Sequence, residues 1–107
     1  MGFSTEFNSV CKFKSERELE DLFEYGKTKM RKSGFRIYPT GMKVIAFDPH
    51  NQAVAIVKIS ASIAEIDFQG KEITLVEMEL VRRLTAQEAE VETALADEMF
   101  FRDHPGL

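Results

Sequence analysis

The longest apolar stretch of the chain runs from Ala53 to Asp67 and predicts a strand. Its letters, AVAIVKISASIAEID, place apolar residues at both alternating positions over most of the run. A strand that is apolar on both faces needs cover on both sides. The run is longer than most strands, and Ser60 and Ser62 fall near its middle, so we expect a bend or bulge there.

The first third of the chain predicts an extended segment over Glu6–Lys14, followed by a helix. Ser15-Glu16-Arg17-Glu18 has the form of a capping box, in which each side chain binds a backbone amide of the other residue. The residues that follow at helical spacing are Leu19, Leu22, Phe23, Gly26 and Met30. We therefore predict a helix over residues 16–33 that stops at Gly34.

The middle of the chain predicts strands joined by short turns. Besides the run at 53–67, the extended segments are 35–38, 42–47 and 72–84. The turns between them are Pro39-Thr40-Gly41, Asp48–Gln52 and Gln69-Gly70-Lys71.

A second capping box, Thr85-Ala86-Gln87-Glu88, predicts a helix that continues to about Phe101. Its expected apolar stripe consists of Val91, Ala94, Leu95 and Met99. Residues 103–107 are expected to form a C-terminal tail.

This order, β-α-β-β-β-β-α, predicts a single α+β domain over residues 1–102. Short connections favour antiparallel neighbours. The expected bend in the long strand favours a mainly antiparallel, curled sheet, in the form of a partly open barrel with two flanking helices.

Composition and charge narrow the functional classes. The formal net charge is −4, and the acidic excess lies entirely in residues 34–107. An acidic domain is a poor general binder of phosphate backbones. Cys11 is the single cysteine, which excludes an internal disulfide and a cysteine zinc cage. The absence of a long apolar span and of a signal sequence predicts a cytoplasmic protein that does not enter a membrane.

Catalytic and metal chemistry find little support in the pattern. Cys11 lies among apolar residues, which favours a structural thiol. Asp48 and His50 share one turn, which is too few ligands for a metal site. Glu77 and Glu79 lie on one face of a strand and would serve as an acid–base pair only in a shared pocket. We expect no metal, no cofactor and no catalytic residue.

Binding chemistry has two candidates. Basic side chains cluster near aromatic rings at Lys27, Lys29, Arg31, Lys32 and Arg36, a combination that suits phosphate contacts and base stacking. The segment Gly34–Gly41 joins an aromatic residue, a cation and a turn, and loops of this kind often carry function. The predicted binding residues are Arg36, Tyr38, Thr40 and Lys43.

Two resemblances accompany these residues. Glu6-Phe7-Asn8 and Gly34-Phe35-Arg36-Ile37-Tyr38-Pro39-Thr40-Gly41 resemble the E-F-N start and G-[FY]-R-[LIV]-Y-P-x-G core of a small bacterial family of unknown function. Gly41-Met42-Lys43 is similar to the start of the G-x-K-x-x-E-x-R pattern of PUA-like and ASCH-type barrels, with Ala46 and Asp48 in place of the Glu and Arg. This second resemblance implies a small barrel that holds RNA or a nucleotide-like ligand.

Three readings of function follow from the sequence. The first is a protein-interaction or regulatory module without enzyme activity, whose partner is another protein or a second copy of the chain. The alternative is an RNA- or nucleotide-binding domain that uses Arg36, Tyr38 and Lys43. The last is a small hydrolase that uses Glu77, Glu79 and His50.

Overall fold

A mixed five-stranded sheet forms the centre of the computed structural model, which describes residues 10–102. Its spatial order is β1-β3-β4-β5-β2, with β1 parallel to β3 and the remaining pairs antiparallel. The elements are β1 Val10–Lys12, α1 Glu16–Tyr25, β2 Lys27–Ser33, β3 Lys43–Phe47, β4 Ala53–Ile66, β5 Glu72–Arg83, α2 Ala86–Ala96 and a π-helical turn Asp97–Phe101. The predicted α+β fold with a curled sheet and two helices is confirmed. The Glu6–Ser9 part of the first extended segment and the expected tail at 103–107 lie outside the described residues.

The helix predicted over residues 16–33 is wrong beyond Tyr25. Gly26 adopts φ 75° and its amide donates to the Leu22 carbonyl, so it ends α1 as a left-handed cap. Lys27–Ser33 then forms β2, in which exposed and buried side chains alternate. Met30 fits the helical spacing of Leu19 and Leu22, but it also fits the period of two that governs a strand.

No strand forms at 35–38, where one was predicted. The second strand along the chain is instead β2. The short connections predicted that the second strand would pair with the third. Instead, β2 pairs with β5 at the far edge of the sheet. The chain from Gly34 therefore crosses back to β3. The Arg36 amide donates to Thr74 Oγ1 at 2.9 Å, and this threonine donates to the Gly34 carbonyl at 2.8 Å.

The β3–β4–β5 meander follows the prediction closely. Asp48 Oδ1 accepts from the amides of His50 and Gln52, both at 2.9 Å, and so closes the loop between β3 and β4. The pairing of β4 with β5 shifts register between Ile59 and Ala61, which confirms the bulge expected near Ser60.

The main core lies between the curled sheet and α1. Its helical members are Leu19 and Leu22, and its strand members include Val57, Ile59 and Met78. These side chains are buried because α1 closes the concave side of the sheet. The Cys11 thiol lies here too, 3.2 Å from Met30 Sδ.

A second, smaller core joins the last helical segment to β3 and β4. Phe47 meets Phe101 edge to face at 5.1 Å, beside Ala53 and Ala96. The apolar stripe predicted for α2 does not pack into this core. Its four residues, Val91, Ala94, Leu95 and Met99, are all exposed. Within residues 10–102 no helix has the length and apolar character needed to cross a membrane.

Candidate functional site

The four predicted binding residues occupy different environments. Tyr38 is 3% exposed and belongs to the main core, so its ring is not open to stack on a base. Arg36 is partly buried, and its Nε donates to the Ser33 carbonyl at 3.1 Å. Thr40 and Lys43 are exposed, at the turn before β3 and at its first residue.

The basic cluster of β2 is largely committed to contacts within the chain. Lys29 pairs with Glu77 at 3.1 Å, and Arg31 pairs with Asp67 at 2.7 Å. Lys32 is buried and donates to the Lys12 carbonyl across the open side of the sheet. These contacts leave less positive charge for a phosphate backbone than the sequence suggested.

A thiol, an amine and a phenol meet in the main core. Burial raises the pKa of Cys11 to about 11, and it raises the pKa of Tyr38 above its ordinary value. Desolvation lowers the pKa of Lys32. Burial therefore opposes the charged form of each of the three groups.

The residues of the hydrolase reading do not form one site. Glu77 and Glu79 line an open cleft of about 700 Å³ between the end of α1 and the bulge of β4. His50 lines a different depression beside α2, and its Nε2 lies 3.7 Å from Glu16. Among residues 10–102 no group of three or more His, Cys, Asp and Glu side chains is placed to hold a metal ion.

A different feature is left without a partner inside the described part of the chain: the second half of β4. The pairing of β3 with β4 ends at Lys43 and Lys58. Ile59 is still held, because its amide donates to Met42 and its carbonyl accepts from Gly41. From Ala61 to Ile66 no described strand lies on this side of β4, and we call this segment the free edge of β4.

The backbone direction along the free edge follows from the hairpin that ends it. The Asp67 amide donates to the Lys71 carbonyl, so these two residues face each other. The next carbonyl, that of Glu72, turns to the other side and accepts from Gly34. Successive residues of a strand alternate in this way. Like Asp67, the alternate residues Ala61, Ile63 and Glu65 direct their N–H and C=O groups toward β5. Ser62, Ala64 and Ile66 lie between them and direct these groups away from β5.

The side chains at the free edge are unusually apolar for an exposed strand. Ile63 and Ile66 are 53% and 66% exposed, and Phe68 in the following turn is 95% exposed. Glu65 is the single charged residue between Ala61 and Ile66. Edge strands are normally protected by lysine, proline or a bulge.

The opposite edge of the sheet offers a direct contrast. There, β2 presents the exposed cations Lys27, Lys29 and Arg31, which is the usual protection of an edge. The free edge of β4 lacks this protection and is better suited than the β2 edge to accept another strand.

Sequence reasoning missed this edge because the pattern of β4 does not reveal where its neighbour stops. The signal that was available is the difference in length. The predicted strand at 42–47 is less than half as long as the strand at 53–67, so it cannot pair with all of it.

The class that this fold defines is a small α+β domain built on a curled, half-barrel sheet. One similar solved structure is the crystal structure of protein ytmB from Bacillus subtilis, a structural-genomics target. The likeness has a TM-score of 0.56 at 20% identity and covers 80% of this chain and 96% of that chain. It shows a shared fold with a bacterial protein and does not test the G-[FY]-R-x-Y-P-x-G motif.

No family model matches the chain, and no curated protein is significantly similar to it.

Proposed function

We propose that the protein is a protein-interaction module whose binding surface is the free edge of β4. The observation that carries this proposal is the set of outward N–H and C=O groups at Ser62, Ala64 and Ile66, flanked by exposed apolar side chains. Addition of a strand to an exposed sheet edge is a common mode of protein recognition. Main-chain hydrogen bonds supply affinity, and the alternating side chains supply specificity.

The charges agree with a protein partner better than with nucleic acid. Lys29 and Arg31 already pair with carboxylates, and the buried Tyr38 ring does not face solvent. Non-specific nucleic-acid binding needs clustered cations that are free to neutralise phosphates. A protein partner therefore fits this surface better than RNA does.

The test is an affinity pull-down from native lysate with a tagged chain, in which both the proteins and the nucleic acids in the eluate are identified. Three versions of the chain are compared: the wild type, Ala64→Pro and Val91→Ser. Ala64→Pro removes an outward N–H without removing a bond to β5, and proline is tolerated on strand edges for this reason. Val91→Ser alters an exposed apolar residue of α2, away from the edge, and is the matched control.

We expect the wild type and Val91→Ser to recover the same defined protein, or untagged copies of the chain itself. We expect Ala64→Pro to recover neither. Identical recovery by all three versions, or recovery of RNA in place of protein, would contradict it. Circular dichroism of each version confirms that the fold is retained.

A further inference from the structure

We infer that the strand received by the free edge of β4 is the same edge of a second copy of this chain, so that two copies join their sheets around a two-fold axis at Ala64. This inference rests on the proposed function and names its partner. It follows from three properties of the edge: the positions of its outward backbone groups, the space at each end, and the distribution of charge.

The backbone groups are self-complementary around Ala64. In an antiparallel pair centred there, Ala64 faces Ala64 of the second copy, and Ser62 faces Ile66. These are the three residues whose N–H and C=O groups point outward. Facing residues of this kind exchange both hydrogen bonds, so every outward group of the free edge finds a partner.

A shifted register loses this match. If the axis passed through Ile63, Ile66 of the second copy would lie opposite Ile59, because Ser60 is the extra residue of the bulge. The Ile59 amide and carbonyl are already bound to Met42 and Gly41. With the axis at Ala64, the hairpin turn of the second copy stops beside Ala61, short of that obstruction.

Charge favours the same antiparallel arrangement. Lys58 lies directly opposite Lys43, so the start of the edge carries two facing cations, which is unfavourable on its own. Glu65 and Asp67 lie at the other end, where Asp67 also holds Arg31. Antiparallel pairing brings Glu65 of each copy toward the two lysines of the other.

The arrangement is closed, and it gives the exposed hairpin turn a neighbour. A two-fold pair uses the same edge on both copies and leaves none of it open, whereas pairing of the β4 edge with the β2 edge would propagate without end. Each hairpin turn, which carries Phe68, comes beside the Gly41-Met42 turn of the other copy. Phe68 is the most exposed of the large apolar side chains described.

Engineered cysteines test the register. Ala64→Cys places two thiols on facing residues across the axis, within the separation of about 5.5 Å between Cα atoms that a disulfide spans. Ile66→Cys is the matched control on the same face of β4, and its two copies would be roughly 13 Å apart along the strands. The native Cys11 is buried and adds little background.

The expected result is a disulfide-linked dimer of Ala64→Cys after mild oxidation at micromolar protein, with little dimer from Ile66→Cys. Ile63→Cys reports the alternative register. Equal cross-linking of Ala64→Cys and Ile66→Cys, or preferential cross-linking of Ile63→Cys, would overturn the inference.

Sedimentation equilibrium of purified protein tests self-association without a cross-link. We expect a monomer–dimer equilibrium whose dissociation constant rises at least about tenfold in Ala64→Lys, because two facing ammonium groups repel and interrupt the pairing. Val91→Lys adds the same charge at an exposed residue of α2, away from the edge, and should leave it nearly unchanged.

A wild-type chain that stays monomeric at all concentrations overturns the inference. If a different protein is then still lost from the Ala64→Pro recovery, the proposed function stands with another partner. If recovery is also independent of the edge, both the inference and the proposed function fail.

Discussion

At the scale of single residues, burial decides which chemical groups can act. Tyr38 was predicted to stack on a ligand, but it is part of the main core beside Cys11 and Lys32. The sequence gives the type of each residue and its local parity. It does not say that the chain after Gly34 crosses the concave side of the sheet, which is what buries Tyr38.

The buried thiol gives the residue-scale prediction. Because burial raises the pKa of Cys11 to about 11 from an ordinary value of 9.0, its thiolate fraction at neutral pH falls about a hundredfold. We expect an aromatic disulfide reagent at pH 8 to react with the folded protein at least that much more slowly than with the chain in guanidinium chloride.

The Ile63→Cys variant supplies the control for this measurement, because its added thiol is exposed and should react at once. Rapid reaction of both thiols would show that Cys11 is accessible and would contradict the buried assignment. The same shift implies that the contribution of Cys11 to stability is complete below pH 9 and is lost as the pH rises through about 11.

At the scale of elements, the pattern predicted both helix starts and most strands, but it misplaced the end of α1 and predicted a strand at 35–38 that is absent. Ser15 caps α1 by accepting from the Arg17 amide at 3.2 Å, not from the Glu18 amide as the predicted capping box requires, whereas the Thr85–Glu88 capping box is formed in full. Local hydrogen bonding of this kind is readable from sequence. The end of α1 could not be predicted in this way. Lys27–Ser33 fits both a helical and an alternating period, and only its pairing with β5 decides that it forms a strand.

Gly26 is the residue on which this boundary depends. At φ 75° a side chain is strained even though no atom lies near an added Cβ. We expect Gly26→Ala to lower the free energy of unfolding by about 1–2 kcal/mol, measured by urea denaturation. Gly26→Asn should lose less, since asparagine tolerates this conformation.

Glu20→Ala, within α1, is the control for alanine in place of a native residue, and it should change little. If Gly26→Ala proved neutral or stabilising, the left-handed cap that ends α1 would be ruled out. The prediction of one continuous helix over residues 16–33 would then be favoured again.

The start of α2 makes stability depend on pH. Glu88 accepts two hydrogen bonds from Arg82, at 2.7 and 2.8 Å, and one from the Thr85 amide. These contacts lower the pKa of Glu88 to about 2 from 4.5. Its contribution to stability is therefore present above pH 4.5 and is lost as the pH falls toward about 2.

We expect Glu88→Gln to reduce the difference between urea midpoints measured at pH 6 and at pH 3, by a small amount because both side chains are partly exposed. Glu90→Gln, on the same helix, should keep the wild-type difference. An unchanged pH dependence in Glu88→Gln would show that the pair with Arg82 does not persist in solution.

At the scale of the whole molecule, strand order creates the surface that matters most. The α+β class, the curled sheet and the β3–β4–β5 meander followed from periodicity and turn residues. The position of β2 beside β5 depends on contacts between distant residues, and the pairing of β3 with β4 reaches only as far as Lys43, the first residue of the short β3. Those two facts together leave Ala61–Ile66 as an edge, so the candidate site could not be read from any single motif.

Amide hydrogen exchange, followed by NMR at two protein concentrations, tests the free edge most directly. The account predicts that the amides of Ser62, Ala64 and Ile66 exchange rapidly in dilute protein and become protected as the concentration rises. Ile63 and Glu65, whose amides point to β5, should be protected at both concentrations. Rapid exchange of the three outward amides at every concentration would mean that no second copy binds there and would contradict the account. Protection of all five amides in protein that sedimentation equilibrium shows to be monomeric would mean that the edge is already covered within one chain, and it would also contradict the account.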